Sequence, residues 1–167
     1  MAIPHTPADA AIAFSAHDHS HCSDDLLAKA QILAEARGAR LTPVRRRVLE
    51  ILLEAHRALG AYEVLQRLAA DGYGNQPPVA YRALEFLVHQ GLAHRIDRLN
   101  AFTACTHPAD AHNPVFFICR TCNTVAEAAG PSVRAAVADS ASNIGFVVER
   151  VTVEASGLCP SCKGSAP

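Results

Sequence analysis

Between Ser23 and Gly91 apolar side chains recur at helical spacing, and beyond Gly91 the apolar runs are short and β-branched. "SDDLLAKAQILAEARG" places Leu26, Leu27, Ala30, Leu33 and Ala34 on one face of a helix. Ser23 stands as its N-cap, Asp24 and Asp25 fill its first turn, and Gly38 follows its end. "TPVRRRVLEILLEAH" begins a second helix with Thr42 as N-cap and Pro43 at the first helical position; Val44, Val48, Ile51 and Leu52 form its inner stripe. "GAYEVLQRLAADG" predicts a third helix ending near Gly72, and "PPVAYRALEFLVHQG" a fourth, closed by Gly91. "LAHRIDRLNAFTAC" then reads as two short strands around a turn at Leu99–Asn100.

Helices followed by a β-hairpin are the plan of a winged helix-turn-helix domain, whose last helix enters the major groove while the hairpin forms the wing. From Cys105 on, "PVFFIC" and "TVAEA" read as strands flanking a cysteine-bearing knuckle. "PSVRAAVADSASNIG" reads as a helix, and "FVVERVTVEA" as one long strand. The expected class is α+β: a tail over 1–22, a winged-helix DNA-binding domain over 23–98 and a small α/β domain over 99–167.

The chain has 167 residues, half of them apolar, enough for one domain or two small ones with a real core. No run is long and apolar enough to span a bilayer, and the N-terminus lacks the basic start of a signal peptide. A cytoplasmic location is the default expectation. A net charge of −1 taken alone argues against nucleic-acid binding. Its distribution argues otherwise: Asp24 to Arg98 carries 11 Lys/Arg against 9 Asp/Glu, with Arg37, Arg40, Arg45, Arg46 and Arg47 clustered.

Six cysteines in a reducing compartment point to metal or redox chemistry before disulfides. "CRTC" (Cys119, Cys122) and "CPSC" (Cys159, Cys162) supply four thiolates, the donor set of a closed, structural Zn²⁺ site. The bland alternatives are redox dithiols or buried apolar cysteines. A zinc deaminase is excluded as an enzyme reading, because no His here is followed two residues later by Glu.

A winged helix carrying "LTPVRRRVLEIL" and "PPVAYRALEFLVHQGLAHRI", followed by an α/β unit with "CRTC" and "CPSC", resembles the ferric uptake regulator family over about residues 24–163. It looks most like the zinc-responsive branch. The resemblance implies a homodimeric, metal-activated repressor of zinc-uptake genes that binds palindromic double-stranded DNA operators, with no enzymatic activity. It makes the second domain the dimerisation unit. It also implies a regulatory zinc site near the hinge, with ligands at His94 ("QGLAH"), Cys105 ("AFTAC"), His112 ("DAH") and Glu127 ("CNTVAE"). One thiolate, two imidazoles and one carboxylate form a borderline-soft set that suits Zn²⁺. Iron-type relatives carry "HHDH" before the first knuckle, where this chain has "ADAHNPVFF". Taken singly, His94, Cys105 and Glu127 have ordinary structural readings, and His107 reads as a surface side chain.

The same resemblance puts Arg82 at a base-contacting position, Tyr81 beside it, Tyr62 at a DNA-contacting position and Arg45 at a phosphate-contacting one. Arg45–Arg47 read alternatively as a solvated helix face. Val79 stands where the family usually has Thr, which removes a hydroxyl from that end of the helix. "HDHSHC" near the N-terminus (His17, His19, His21, Cys22) is a dense ligand patch, read as a solvated tail or a weak accessory zinc site. The rivals are a sensor of iron, manganese or peroxide on the same fold, and a zinc-dependent thiol or redox protein.

Overall fold

The computed structural model describes residues 20–55, 57–109 and 114–164, with the backbone alone for 20–23. The chain divides into two compact units, one containing the described residues 20–109 and the other 114–164.

The first unit holds α1 (Ser20–Ala36), α2 (Pro43–Glu54), β1 (Leu59–Gly60), α3 (Ala61–Ala70), α4 (Pro77–His89), β2 (Ala93–Ile96) and β3 (Ala101–Ala104). Its strands pair antiparallel in the order β1-β3-β2, the sheet of a winged helix-turn-helix. Thr42 caps α2 with extended backbone ahead of Pro43, as its sequence predicts. Gly38, Gly72 and Gly91 follow α1, α3 and α4 at positive φ. After α1, Gly38 and Ala39 donate back to the Glu35 and Ala34 carbonyls at 2.9 and 2.8 Å, closing the helix end. Val48, Ile51 and Leu52 of α2 meet Val64 and Leu68 of α3, Leu84 and Leu87 of α4 and Leu59 of β1 in one buried core. Each such aliphatic side chain contributes about 1.5–3 kcal/mol on burial.

Two boundaries differ from the sequence reading. Helix α1 opens at Ser20, so Ser23 lies within it and is not its N-cap, and 20–22 are helical rather than tail. The wing strand β3 pairs with β1 and β2, so the first unit runs past residue 98 to 109. The ladder decides this: a strand separated from its partners would leave its backbone groups unmatched.

The second unit holds β4 (Pro114–Cys119), β5 (Val125–Ala129), α5 (Pro131–Ser142), β6 (Val153–Gly157) and a short α6 (Pro160–Lys163). Its sheet runs β5-β4-β6, with β4 antiparallel to β5 and parallel to β6. Val115, Phe116, Ile118 and Ala126 are buried. "FVVERVTVEA" is not one long strand; only Val153 onward pairs. The register Val115↔Val153 would set Thr152 opposite Pro114, which has no N–H to continue the ladder. Ala141 is the one buried residue of α5, and Val133 and Val137, one turn apart, are exposed on it. Ile144 (80%), Phe146 (64%) and Val147 (80%) follow, more exposed still. No described helix is long and apolar enough to cross a membrane.

Candidate metal centres and nucleic-acid interface

The parallel β4–β6 pairing explains how two knuckles far apart in sequence meet. Cys119 ends β4 opposite Gly157, and the Arg120 N–H donates to the Gly157 carbonyl at 2.9 Å. The chain then turns through Asn123 at φ 58, whose N–H donates to the Cys119 carbonyl at 2.9 Å and closes the knuckle. Two residues beyond β6, Cys159 caps α6 ahead of Pro160, and Cys162 lies on that helix. The sulfurs of Cys119, Cys122, Cys159 and Cys162 all lie within 4.8 Å of one another, and Cys122 Sγ is 3.8 Å from Cys159 Sγ. Zinc–thiolate bonds of about 2.3 Å at tetrahedral angles require sulfurs about 3.8 Å apart. The cluster fits a closed four-thiolate ion site.

Its electrostatics agree. Backbone N–H groups of Cys159 and Cys122 hold the Cys119 thiol down to about 6. The Thr124 hydroxyl, 3.1 Å from Cys122 Sγ, pulls that thiol down as well. Hydrogen bonding with Cys159, then burial, pushes Cys162 up to about 12. Adjacent sulfurs cannot all ionise without a balancing cation, and a divalent ion removes that conflict. Cys119, Cys122, Cys159 and Cys162 form no disulfide.

In the first unit, His94 on β2 pairs with Thr103 on β3. Cys105, two residues beyond Thr103, donates its N–H to the Leu92 carbonyl at 3.0 Å. Strand alternation sets His94 and Cys105 on one face of the hairpin, with ligand atoms within 4.8 Å of each other. Cys105 is buried and His94 half-buried. Glu127, half-buried on β5 opposite Phe116, belongs to the second unit. His107 accepts or donates at 2.9 Å with the Thr106 hydroxyl. His112, His17 and His19 lie outside the described residues, as do the side chains of His21 and Cys22.

On α3 and α4, Tyr62, Tyr81 and Arg82 are exposed. Ala80, wholly buried, turns the other side of α4 into the core. The half-buried Val79 donates its N–H to the Gln76 carbonyl at 3.0 Å, so this turn closes through its backbone despite the missing hydroxyl. Arg45 is half-buried, its guanidinium 3.6 Å from the Phe86 ring centroid and its Nη1 2.7 Å from the Arg40 carbonyl. Arg47 joins Glu54 and Asp71, each at 2.6 Å, and Glu50 at 3.3 Å, while Arg46 joins Glu50 at 3.0 Å. The hydrogen bonds to Glu54 and Asp71 raise the Arg47 pKa further above its usual value. Arg37 donates to the Gln90 carbonyl at the end of α4. These internal partners were missed from sequence: Asp71 lies 24 residues from Arg47 and Gln90 lies 53 from Arg37, beyond any local pattern.

A sequence model of the ferric uptake regulator family matches residues 36–156. The zinc uptake regulation protein of Escherichia coli (strain K12) is 34% identical over 142 residues, covering 84% of this chain and 82% of that protein. A solved zinc uptake regulator complexed with zinc and DNA is 33% identical, with a TM-score of 0.82 over 86% of this chain and 96% of that one. The holo form of XcZur is 33% identical, with a TM-score of 0.76 over 84% and 99%. The family model spans α2 into β6, and the chain belongs to the ferric uptake regulator family.

Proposed function

We propose that the chain is a zinc-responsive transcriptional repressor that acts in the cytoplasm as a homodimer, binding palindromic operators of zinc-uptake genes and catalysing no reaction. The observation that carries this reading is its likeness to zinc uptake regulators, one of them held with zinc and DNA. The donor chemistry supports it. Cys119, Cys122, Cys159 and Cys162 would hold a structural zinc, and the thiol–imidazole pair of Cys105 and His94 suits zinc better than an iron or manganese sensor.

We take the regulatory ligand set to be His94 and Cys105 from the wing, Glu127 from β5, and His112. A zinc ion bound by ligands from both units would restrict the angle between them and so favour the DNA-competent form. In a dimer, the two α4 helices must then match half-sites one helical turn, or a multiple of it, apart. Tyr62, Tyr81 and Arg82 are the groups offered to DNA, Arg82 to guanine. The exposed apolar side chains of the second unit, Val133, Val137, Ile144, Phe146 and Val147, support a partner surface there.

Cys105→Ser tests the assignment. Binding to a palindromic duplex, enriched by this protein from a random pool, is followed by fluorescence anisotropy as zinc is added. The variant should require far more zinc than wild type while keeping its four-thiolate ion. Unchanged zinc dependence would remove Cys105 from the sensor.

A further inference from the structure

We infer that Arg45 is a positioning residue: it fixes the rotation of the helix that presents Tyr81 and Arg82, and it is not a phosphate ligand. This rests on the DNA-binding reading above and refines it. Two contacts hold the Arg45 side chain in the first turn of α2. Its guanidinium lies 3.6 Å from the Phe86 ring centroid, and Nη1 donates to the Arg40 carbonyl at 2.7 Å. Stacking fixes the plane of the group, and the carbonyl fixes its direction within that plane. Phe86 in turn packs against the buried core of the unit.

Phe86 stands four residues after Arg82 on α4, so the two are neighbours on the helix surface. Turning α4 about its axis would swing Arg82 across the groove and pull Phe86 from under the guanidinium. Arg45 therefore opposes a rotation of α4 that would misaim Arg82. Arg37 makes a second hold at the far end of α4, where it donates to the Gln90 carbonyl. The neighbouring Arg46 and Arg47 are bound to Glu50, Glu54 and Asp71. Most of this arginine-rich stretch thus holds the unit together instead of forming an open phosphate-binding strip.

The two roles separate experimentally, because a phosphate contact depends on charge and a positioning contact on a flat stacked group. Full-length Arg45→Lys, Phe86→Leu and their double variant are compared with wild type, all with zinc, and Arg45→Gln joins them for the salt dependence. The probes are a palindromic duplex enriched by wild type from a random pool, its derivative with the guanine pair most sensitive to Arg82→Ala replaced, and a shuffled duplex. Circular dichroism and zinc content verify folding. Both single variants should lose about fivefold to tenfold of the discrimination between the first two duplexes, part of what an arginine–guanine pair supplies. The double variant should lose no more than either single one. The slope of log affinity against log salt should stay at the wild-type value in all of them, the charge-removing Arg45→Gln included. Lost charge at a phosphate would instead lower that slope by about 0.9 per contact in Arg45→Gln. If Arg45→Lys rescues discrimination, Phe86→Leu is silent, and Arg45→Gln lowers the slope, Arg45 is a phosphate ligand and the inference is overturned while the DNA-binding reading stands. If wild type enriches no sequence, the DNA-binding reading fails and the inference falls with it.

Discussion

Cys119→Ser removes one of four clustered sulfurs and should unfasten the second unit while sparing the first. The described second unit buries few large apolar side chains, Val115, Phe116 and Ile118 chief among them, and α5 buries only Ala141. A core of that size is marginal without a crosslink. Structural zinc supplies about 10–16 kcal/mol of apparent free energy, or about 2.5–4 kcal/mol per ligand if four share it equally. Losing one ligand should therefore raise local opening by about a hundredfold to a thousandfold. Native-state hydrogen exchange followed by mass spectrometry reads this directly. Amides of Phe116–Ile118 in β4 and of Ala126 in β5 should lose protection by that factor, and α2 and α4 should be unchanged. The ion, held by three remaining thiolates, should be withdrawn by a chelator at a lower concentration than in wild type. Unaltered protection across β4 in a variant whose zinc is held this much more weakly would refute the idea that the ion holds the sheet.

Three further outcomes follow from particular contacts. Arg47→Met should cost about 1–2 kcal/mol, seen as a fall of several degrees in the melting temperature of the first unit; Arg47→Lys should recover little of it, since one ammonium does not reproduce the fork that meets Glu54 and Asp71. The Glu63 carboxyl is held below its usual range first by its bond with Arg57, and also by the Gly60 N–H. A depressed folded pKa gives stability that is present above the unfolded glutamate value and lost as pH falls through the folded one. Glu63→Gln should thus destabilise by a few tenths of a kcal/mol at pH 7, the exposed pair being screened, and match wild type in urea melts well below pH 4. Val137→Asp, on the exposed stripe of α5, should shift the chain from dimer to monomer in light scattering, whereas a monomeric wild type would remove the partner surface proposed there.

Local signals made much of this legible in the sequence. Thr42 and Pro43, and the glycines after α1, α3 and α4, mark helix ends by backbone chemistry that needs no distant partner. The two Cys-x-x-Cys knuckles announce themselves by spacing, and the hairpin by its turn at Asn100. What was not legible depends on pairing. The β-branched run before Val153 has strand propensity but would face Pro114, so propensity overestimates β6. Helix α1 starts ahead of a plausible Ser23 cap. The arginines look like a DNA-binding cluster until Phe86, Gln90 and Asp71, on or beside other helices, claim three of them. His94 and Cys105 meet because β2 and β3 pair in one register, which no linear spacing specifies.

The most direct test is a metal titration of the sensor site. Full-length protein with its four-thiolate ion in place is stripped of any second metal, then titrated with Zn²⁺, Fe²⁺ and Mn²⁺ at fixed pH and salt. Binding to the enriched palindromic duplex is measured alongside a shuffled duplex. A zinc-responsive repressor should gain affinity for the palindrome with zinc at the lowest free concentration, with one additional ion per chain and little gain on the shuffled duplex. Equal affinity with and without zinc, or activation by iron or manganese in preference to zinc, would contradict it.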